Sequence, residues 1–148
     1  MENYLNLFSR YKKLDESNEW YCSKCKEHRK GYKQLEFFRL PRYLLLQLKR
    51  FKGQSNFFFF NTKNSTNVKF PINNLNLNKY LAGPKNMDYI YDLIAVSQHY
   101  GASFGGHYTA LCKKDNNWFE FDDETVEKIS ESKIVNSHAY ILVYKLKD

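Results

Sequence analysis

The chain has 148 residues, 43% of them hydrophobic, 26% charged and 18% aromatic, with 12 Tyr, 12 Phe, 6 Gly and 3 Pro. That length suits one domain whose core needs no disulfide staples, and the balance excludes a wholly disordered, collagen-like or low-complexity chain. No apolar run approaches the ~18 residues of a spanning helix, the first residues lack the basic start and apolar stretch of a secretory signal, and 23 basic against 16 acidic residues leave a formal charge of +7.

The surplus is scattered. Its densest cluster is Lys24, Lys26, Arg29, Lys30 and Lys33, which reads as a solvated face or a partner patch. Charge alone does not make nucleic acid or a membrane an expected partner. Three cysteines, Cys22, Cys25 and Cys112, are too few for a disulfide framework, so a reducing compartment, cytoplasm or nucleus, is expected.

In chain order, Tyr4, Leu7, Phe8 and Tyr11 keep a 3.6-residue period, widened by Leu5 and Leu14, and predict a helix that ends at the polar stretch 15–19. Tyr32 to Leu40 and Tyr43 to Phe51 predict two long strands joined at Pro41, the second buried on both faces at one end. Phe57 to Phe60 reads as a β-ribbon with an aromatic core face or as an exposed contact patch. Val68, Phe70 and Ile72 alternate beside Pro71, as an edge or end does. Asn73 to Tyr80 suggests a short helical turn.

Tyr89 to His99 predicts a strong strand, followed by a glycine-bearing loop from Tyr100 to Gly106. Short strands follow at His107–Cys112, Asn117–Phe121, Thr125–Ile129 and Ala139–Leu146, with a Ser-capped helical turn at Ser130–Val135. The second half is thus a mostly antiparallel sheet whose hairpins bring His107, Asp122 and Tyr140 near one another.

His107, at a strand start beside a glycine loop, is placed as a structural His or as a general base. One hairpin later, Asp122 and Asp123 are a turn or a source of the carboxylate that accepts the imidazole Nδ1–H and fixes its tautomer. No convincing nucleophile accompanies them: Cys112 sits in a strand and reads as core, and no Gly-x-Ser-x-Gly elbow exists. Cys22 and Cys25 form a CxxC that looks like half a zinc knuckle, with His28 as a candidate third ligand and no fourth.

The stretches EWYCSKC (19–25), KEHRK (26–30), FRLPRYLLLQLKRF (38–51), YIYDLIAVSQHYG (89–101), GHYTA (106–110), WFEFDDETV (118–126) and AYILVY (139–144) resemble, in order and spacing, the ubiquitin-specific protease family. The resemblance implies an α+β, papain-like cysteine protease with thumb, palm and fingers, cleaving after the C-terminal glycine of ubiquitin. It implies that His107 is the catalytic His, Asp122 the third triad member and Asp123 the adjacent acid. His99, Gly105, Gly106 and Tyr108 then line the channel for the ubiquitin tail, and Cys22 and Cys25 are one of two zinc pairs in the fingers.

The family's Gly-Asn-Thr-Cys box, its oxyanion Gln or Asn and its first CxxC do not occur in these 148 residues. The chain therefore looks like the C-terminal part of the catalytic domain, with palm and half the fingers and without the thumb. Residues 1–18 would be a helical lead-in, 19–70 fingers and palm strands, and 71–148 palm with the triad His and Asp. Expected partners are ubiquitin, ubiquitinated proteins and the missing N-terminal half. No catalytic cofactor is expected, and structural zinc is expected to be absent or incompletely held. The isolated chain should be inactive. The competing reading is a non-catalytic ubiquitin-binding or scaffold module.

Overall fold

The structure is a computed structural model that describes residues 1–51, 63–102 and 105–147. The Phe57–Phe60 run lies outside the described residues. The chain forms two compact units, Met1–Leu40 with Leu77–Asp88, and Pro41–Asn76 with Tyr89–Asp148. Among the described residues no helix is long and apolar enough to cross a membrane.

The first unit holds α1 (Glu2–Ser9), β1 (Lys12–Lys13), β2 (Trp20–Cys22), β3 (Glu27–Arg29) and β4 (Tyr32–Lys33). The helix predicted to run towards Leu14 stops at Ser9, because Arg10 turns extended and Lys12 and Lys13 pair with Lys33 and Tyr32. The N–H of Leu14 then donates to the Gly31 carbonyl at 2.9 Å. The predicted strand Tyr32–Leu40 is not formed beyond β4. Phe37 instead spends both backbone groups on a single bridge, donating to the Tyr80 carbonyl (3.0 Å) and accepting from Ala82 (2.9 Å). The Tyr80 hydroxyl and Asn6 Oδ1, 2.8 Å apart, and the Lys79–Glu2 ion pair tie that segment to α1.

The second unit is built on β5 (Tyr43–Gln47), β6 (Leu75–Asn76), β7 (Ile90–Ala102), β8 (Gly105–Lys114), β9 (Asn117–Asp122), β10 (Thr125–Ile129) and β11 (Ala139–Leu146). These form one antiparallel sheet in the order β10-β9-β8-β7-β11-β5, with β6 added on β7. The strand expected over Tyr43–Phe51 is shorter and is not buried on both faces. Among the described residues it pairs only with β11, and its residues alternate, Leu44 buried and Tyr43 and Leu45 open. Beyond it Arg50 turns inward. Its Nε and Nη2 donate to the Ala139 carbonyl (3.0 and 2.9 Å), and Nη1 to those of Asn64 and Thr66 (3.1 and 2.5 Å). A buried guanidinium is tolerated because carbonyl oxygens replace its water. Val68–Ile72 is not a strand, yet Val68 and Phe70 are buried. The turn expected in Asn73–Tyr80 resolves into β6 and a 3₁₀ turn at Asn78–Tyr80.

The register separates the two faces of the sheet. Leu46, Leu142, Val96 and Leu111 stand opposite one another in one row, and the last three are fully buried. Pro71 lies over this face, its carbonyl accepting the Tyr144 hydroxyl at 2.7 Å. The other face carries the row Leu45, Val143, Ala95, Cys112 and Phe119, and beside it Ile141, Ser97, Ala110, Phe121 and Val126. Leu45, Phe121 and Val126 of these rows are exposed. Ser130 caps the short 3₁₀ turn Glu131–Lys133, as its sequence predicts.

Leu142→Ala should cost about 2–5 kcal/mol of unfolding free energy, the usual range for a fully buried leucine, read as a lower urea midpoint. Val143→Thr, on the open face, should cost well under half of that. Equal losses would contradict the assignment of the two faces.

Candidate active site

The β7–β8 hairpin is longer than its sequence suggests. The predicted loop Tyr100–Gly106 is largely ladder, closing at the pair Ala102 and Gly105, and the Ser103–Phe104 tip lies outside the described residues. Two glycines permit this. Gly101 has φ +96°, and a Cβ on Gly106 would stand 2.2 Å from His99 Nε2 and 2.3 Å from the Tyr100 carbonyl oxygen, so only glycine fits.

That register sets Tyr100 opposite His107 and Gln98 opposite Thr109. Because side chains alternate, His107 and Thr109 share one face and Tyr108 the other. On β9, Phe121 pairs with Ala110, so Asp122 projects on the His107 side. The outcome is a hydrogen bond between His107 Nε2 and Asp122 Oδ1 at 2.5 Å, both side chains about half exposed.

The expected Nδ1–H donor is therefore corrected to Nε2. β9 reaches the ring from the side of its far nitrogen. With Nε2–H given to the carboxylate, a neutral ring carries its lone pair on Nδ1, which is the atom free to take a proton. Asp123, at φ +47° in the β9–β10 turn, adds a second carboxylate. Its oxygen, an Asp122 oxygen and a His107 nitrogen lie within 4.8 Å of one another. The Asp122 hydrogen bond holds the His107 pKa above its ordinary 6.5, and the charges of Asp122 and Asp123 add to this. A raised imidazole contributes stability that is complete below about 6.5 and is lost as pH climbs through the raised value.

Tyr140 does not join this pair. Its ring lies 6.0 Å from that of His99 and 6.3 Å from that of Tyr108, on the face opposite His107. His99 is 4% exposed, and its Nδ1 has no partner among the described residues. Burial lowers its pKa, the charge of Lys63 adding to this, so it is a neutral packing group under Tyr108, ring centroids 4.7 Å apart. Gly105, Gly106 and Tyr108 are exposed.

The sequence model of the family described as Ubiquitin carboxyl-terminal hydrolase matches residues 3–144. The chain belongs to that family. Ubiquitin carboxyl-terminal hydrolase 9 of Arabidopsis thaliana is 42% identical over 143 residues, covering 95% of this chain and 15% of the relative. Ubiquitin carboxyl-terminal hydrolase 19 of Homo sapiens is 41% identical over 158 residues, covering 100% of this chain and 12% of the relative. Among solved structures, the SAGA Ubp8/Sgf11/Sus1/Sgf73 DUB module bound to ubiquitin aldehyde is similar with a TM-score of 0.85 and 31% identity, over 100% of this chain and 33% of that chain. The fold is thus the α+β, papain-like one of the ubiquitin-specific proteases, and the chain spans a small part of its curated relatives.

Of the three cysteines, Cys22 and Cys25 belong to the first unit and Cys112 to the second, with the His107–Asp122 pair. Cys112 lies on β8 an odd number of residues from His107, hence on the other face, and burial pushes its thiol pKa up. Cys22 and Cys25 bracket the tight β2–β3 turn, where Lys26 adopts φ +56° and donates to the Cys22 carbonyl at 2.7 Å. Backbone N–H groups of Cys25 and Lys24 lower the Cys22 pKa, an arrangement suited to a thiolate. His28 pairs with Tyr21 across the ribbon and packs against its ring at 5.4 Å, on the face away from Cys22. Among the described residues, no third His, Cys, Asp or Glu joins the two thiols in a ligand group. Two thiols are half of the four ligands a structural zinc takes, and His28 faces Tyr21 instead of the thiols.

The sequence reading missed Gln98, Thr109 and Tyr100 beside the pair. Thr109 Oγ1 donates to Gln98 Oε1 at 2.9 Å, both residues buried, and the Tyr100 ring stacks on His138 at 4.1 Å. Extending the alternation of β7 through Tyr100 would have found them.

By NMR, the His107 ring should titrate above 6.5 and with the proton retained on Nε2. Asp122→Asn should move the titration down, and Asp123→Asn should move it less. A His107 titration unchanged by Asp122→Asn would refute the hydrogen bond as its cause.

Proposed function

We propose that this chain forms part of a thiol-dependent deubiquitinase and supplies its base and orienting carboxylate. The observation that carries the reading is the Nε2–Asp122 bond, which leaves His107 Nδ1 as the free basic nitrogen. In the proposed step Nδ1 takes the proton of a cysteine thiol. The thiolate attacks the carbonyl carbon of the last glycine of ubiquitin, and the imidazolium returns the proton to the leaving amine as the C–N bond breaks. Water, deprotonated by the same Nδ1, then hydrolyses the thioester to free the carboxylate and the thiol. Asp122 keeps the ring turned and stabilises the imidazolium. Asp123 strengthens the local negative field.

The nucleophile is proposed to come from another segment of the same catalytic domain. Cys112, on the wrong face and with a raised pKa, is unsuited to the role. The exposed Leu45, Phe121 and Val126 lie on the sheet face opposite His107, so a layer covering them would be distinct from the segment that brings the nucleophile. Residues 1–148 would then be the C-terminal part of that domain. The ubiquitin tail is proposed to run along the exposed Gly105, Gly106 and Tyr108. Absent side chains at the two glycines let another backbone approach closely, and buried His99 supports the hairpin from beneath. Zinc, if held, would need ligands beyond Cys22 and Cys25.

With a fluorogenic ubiquitin C-terminal substrate, the isolated chain should show no turnover. Mixed with a complementing segment that carries the family's Cys box, it should gain turnover, and His107→Ala should reduce this by about 10²–10⁴-fold, the range for a lost base. Turnover by the isolated chain that disappears on Cys112→Ser would overturn the assignment, as would mixture activity indifferent to His107→Ala.

A further inference from the structure

The first unit carries a groove that the proposed hydrolysis leaves unused. Leu7 and Phe8 of α1 and Leu35 give it an apolar floor between Arg10, Lys12 and Lys33, which also line it, and its volume is about 370 Å³. The helix is amphipathic with its apolar side largely outward. It buries Leu5, while Leu7 is 53%, Phe8 42% and Leu35 44% exposed. Phe8 is not loose, since its ring stacks on Phe37 with centroids 5.1 Å apart.

The charge around this floor is one-sided. The β1–β4 register sets Lys12 directly opposite Lys33, and like charges in that relation repel. The acid among the lining residues, Asp15, accepts from the Ser17 hydroxyl at 2.6 Å and the Asn18 amide at 2.7 Å, and the Lys12 charge acts on it more weakly than these bonds. Neighbouring Glu16 pairs with Lys30 at 3.0 Å. Among the described residues no carboxylate forms an ion pair with Arg10, Lys12 or Lys33. A partner bringing carboxylates would relieve the Lys12–Lys33 repulsion as it buried the leucines.

Size narrows the choice. About 370 Å³ lies at the low end for ligand pockets. It has room for an aromatic or leucine side chain with part of its neighbours. A flat anionic bilayer would meet the lysines and leave the slot unfilled. We propose that the groove docks an acidic peptide segment of a partner protein, one aromatic or leucine side chain seated between Leu7, Phe8 and Leu35 and flanking carboxylates paired with Arg10, Lys12 and Lys33.

The test is fluorescence polarisation with the full chain and a labelled peptide of about ten residues, a single Phe among Asp and Glu. The peptide should bind, and weaken at least about tenfold when its Phe becomes Ser, when its acids become Lys, or when salt is raised. Lys12→Glu with Lys33→Glu should lose the acidic peptide and gain the basic one. That gain would also show that the double variant is folded. Leu7→Ser should weaken binding with less effect on its salt dependence. Equal binding of acidic and basic peptides, or indifference to the double charge reversal, would overturn the proposal. So would displacement of the peptide by free ubiquitin, or tighter, Lys12-dependent binding to phosphatidylserine vesicles.

Discussion

The pairing register of β7, β8 and β9 is the constraint on which the site depends. Side chains alternate along a strand, so a slip of one residue between β8 and β9 would carry Asp122 to the opposite face from His107. Several local features hold that register. Gly101 and Gly106 let the hairpin close at Ala102 and Gly105. His99 fills the space beneath Gly106, and Lys63 Nζ donates to the His99 carbonyl. Thr109 and Gln98 bridge β8 and β7 with a buried hydrogen bond. On the far side, Thr125 pairs with Asp122 to start β10 and close the Asp123–Glu124 turn.

The His107–Asp122 pair itself is not buried. At half exposure the attraction between the two charges is screened by water, and it contributes little to holding strands together. The order of causes therefore runs from core to site. Leu142, Val96 and Leu111 fix the sheet, the sheet fixes the ladder, and the ladder brings the imidazole and carboxylate together. On its other face the same sheet leaves Leu45, Phe121 and Val126 exposed. One set of strands thus supplies a rigid platform on one side and an association surface on the other.

Much of this was legible in the sequence where apolar alternation was strong. The strands around Tyr91–Val96, Trp118–Phe121 and Leu142–Tyr144 follow from it, as does the closeness of His107 and Asp122 one hairpin apart. The failures have local causes. Gly101, Gly105 and Gly106 read as a loop because glycine weakens strand propensity, although here it is what allows close pairing. The helix period through Tyr11 and Leu14 was overridden by the pairing of Lys12 and Lys13 with β4, a contact more than fifteen residues away. Tyr32–Leu40 had strand composition, but beyond the two residues of β4 it found, among the described residues, only the Phe37–Leu81 bridge. Which imidazole nitrogen meets Asp122 depends on ring orientation, which spacing does not encode.

The measurement that bears most directly on the account is a double-mutant cycle on His107 and Asp122 in the complemented hydrolase, reading kcat/KM. If Asp122 acts by orienting the His107 ring, Asp122→Asn has little left to remove once His107 is Ala, so the double variant should be about as active as His107→Ala alone. Losses that simply multiply would mean that the two residues act independently, and would contradict the pair as the working unit of the site.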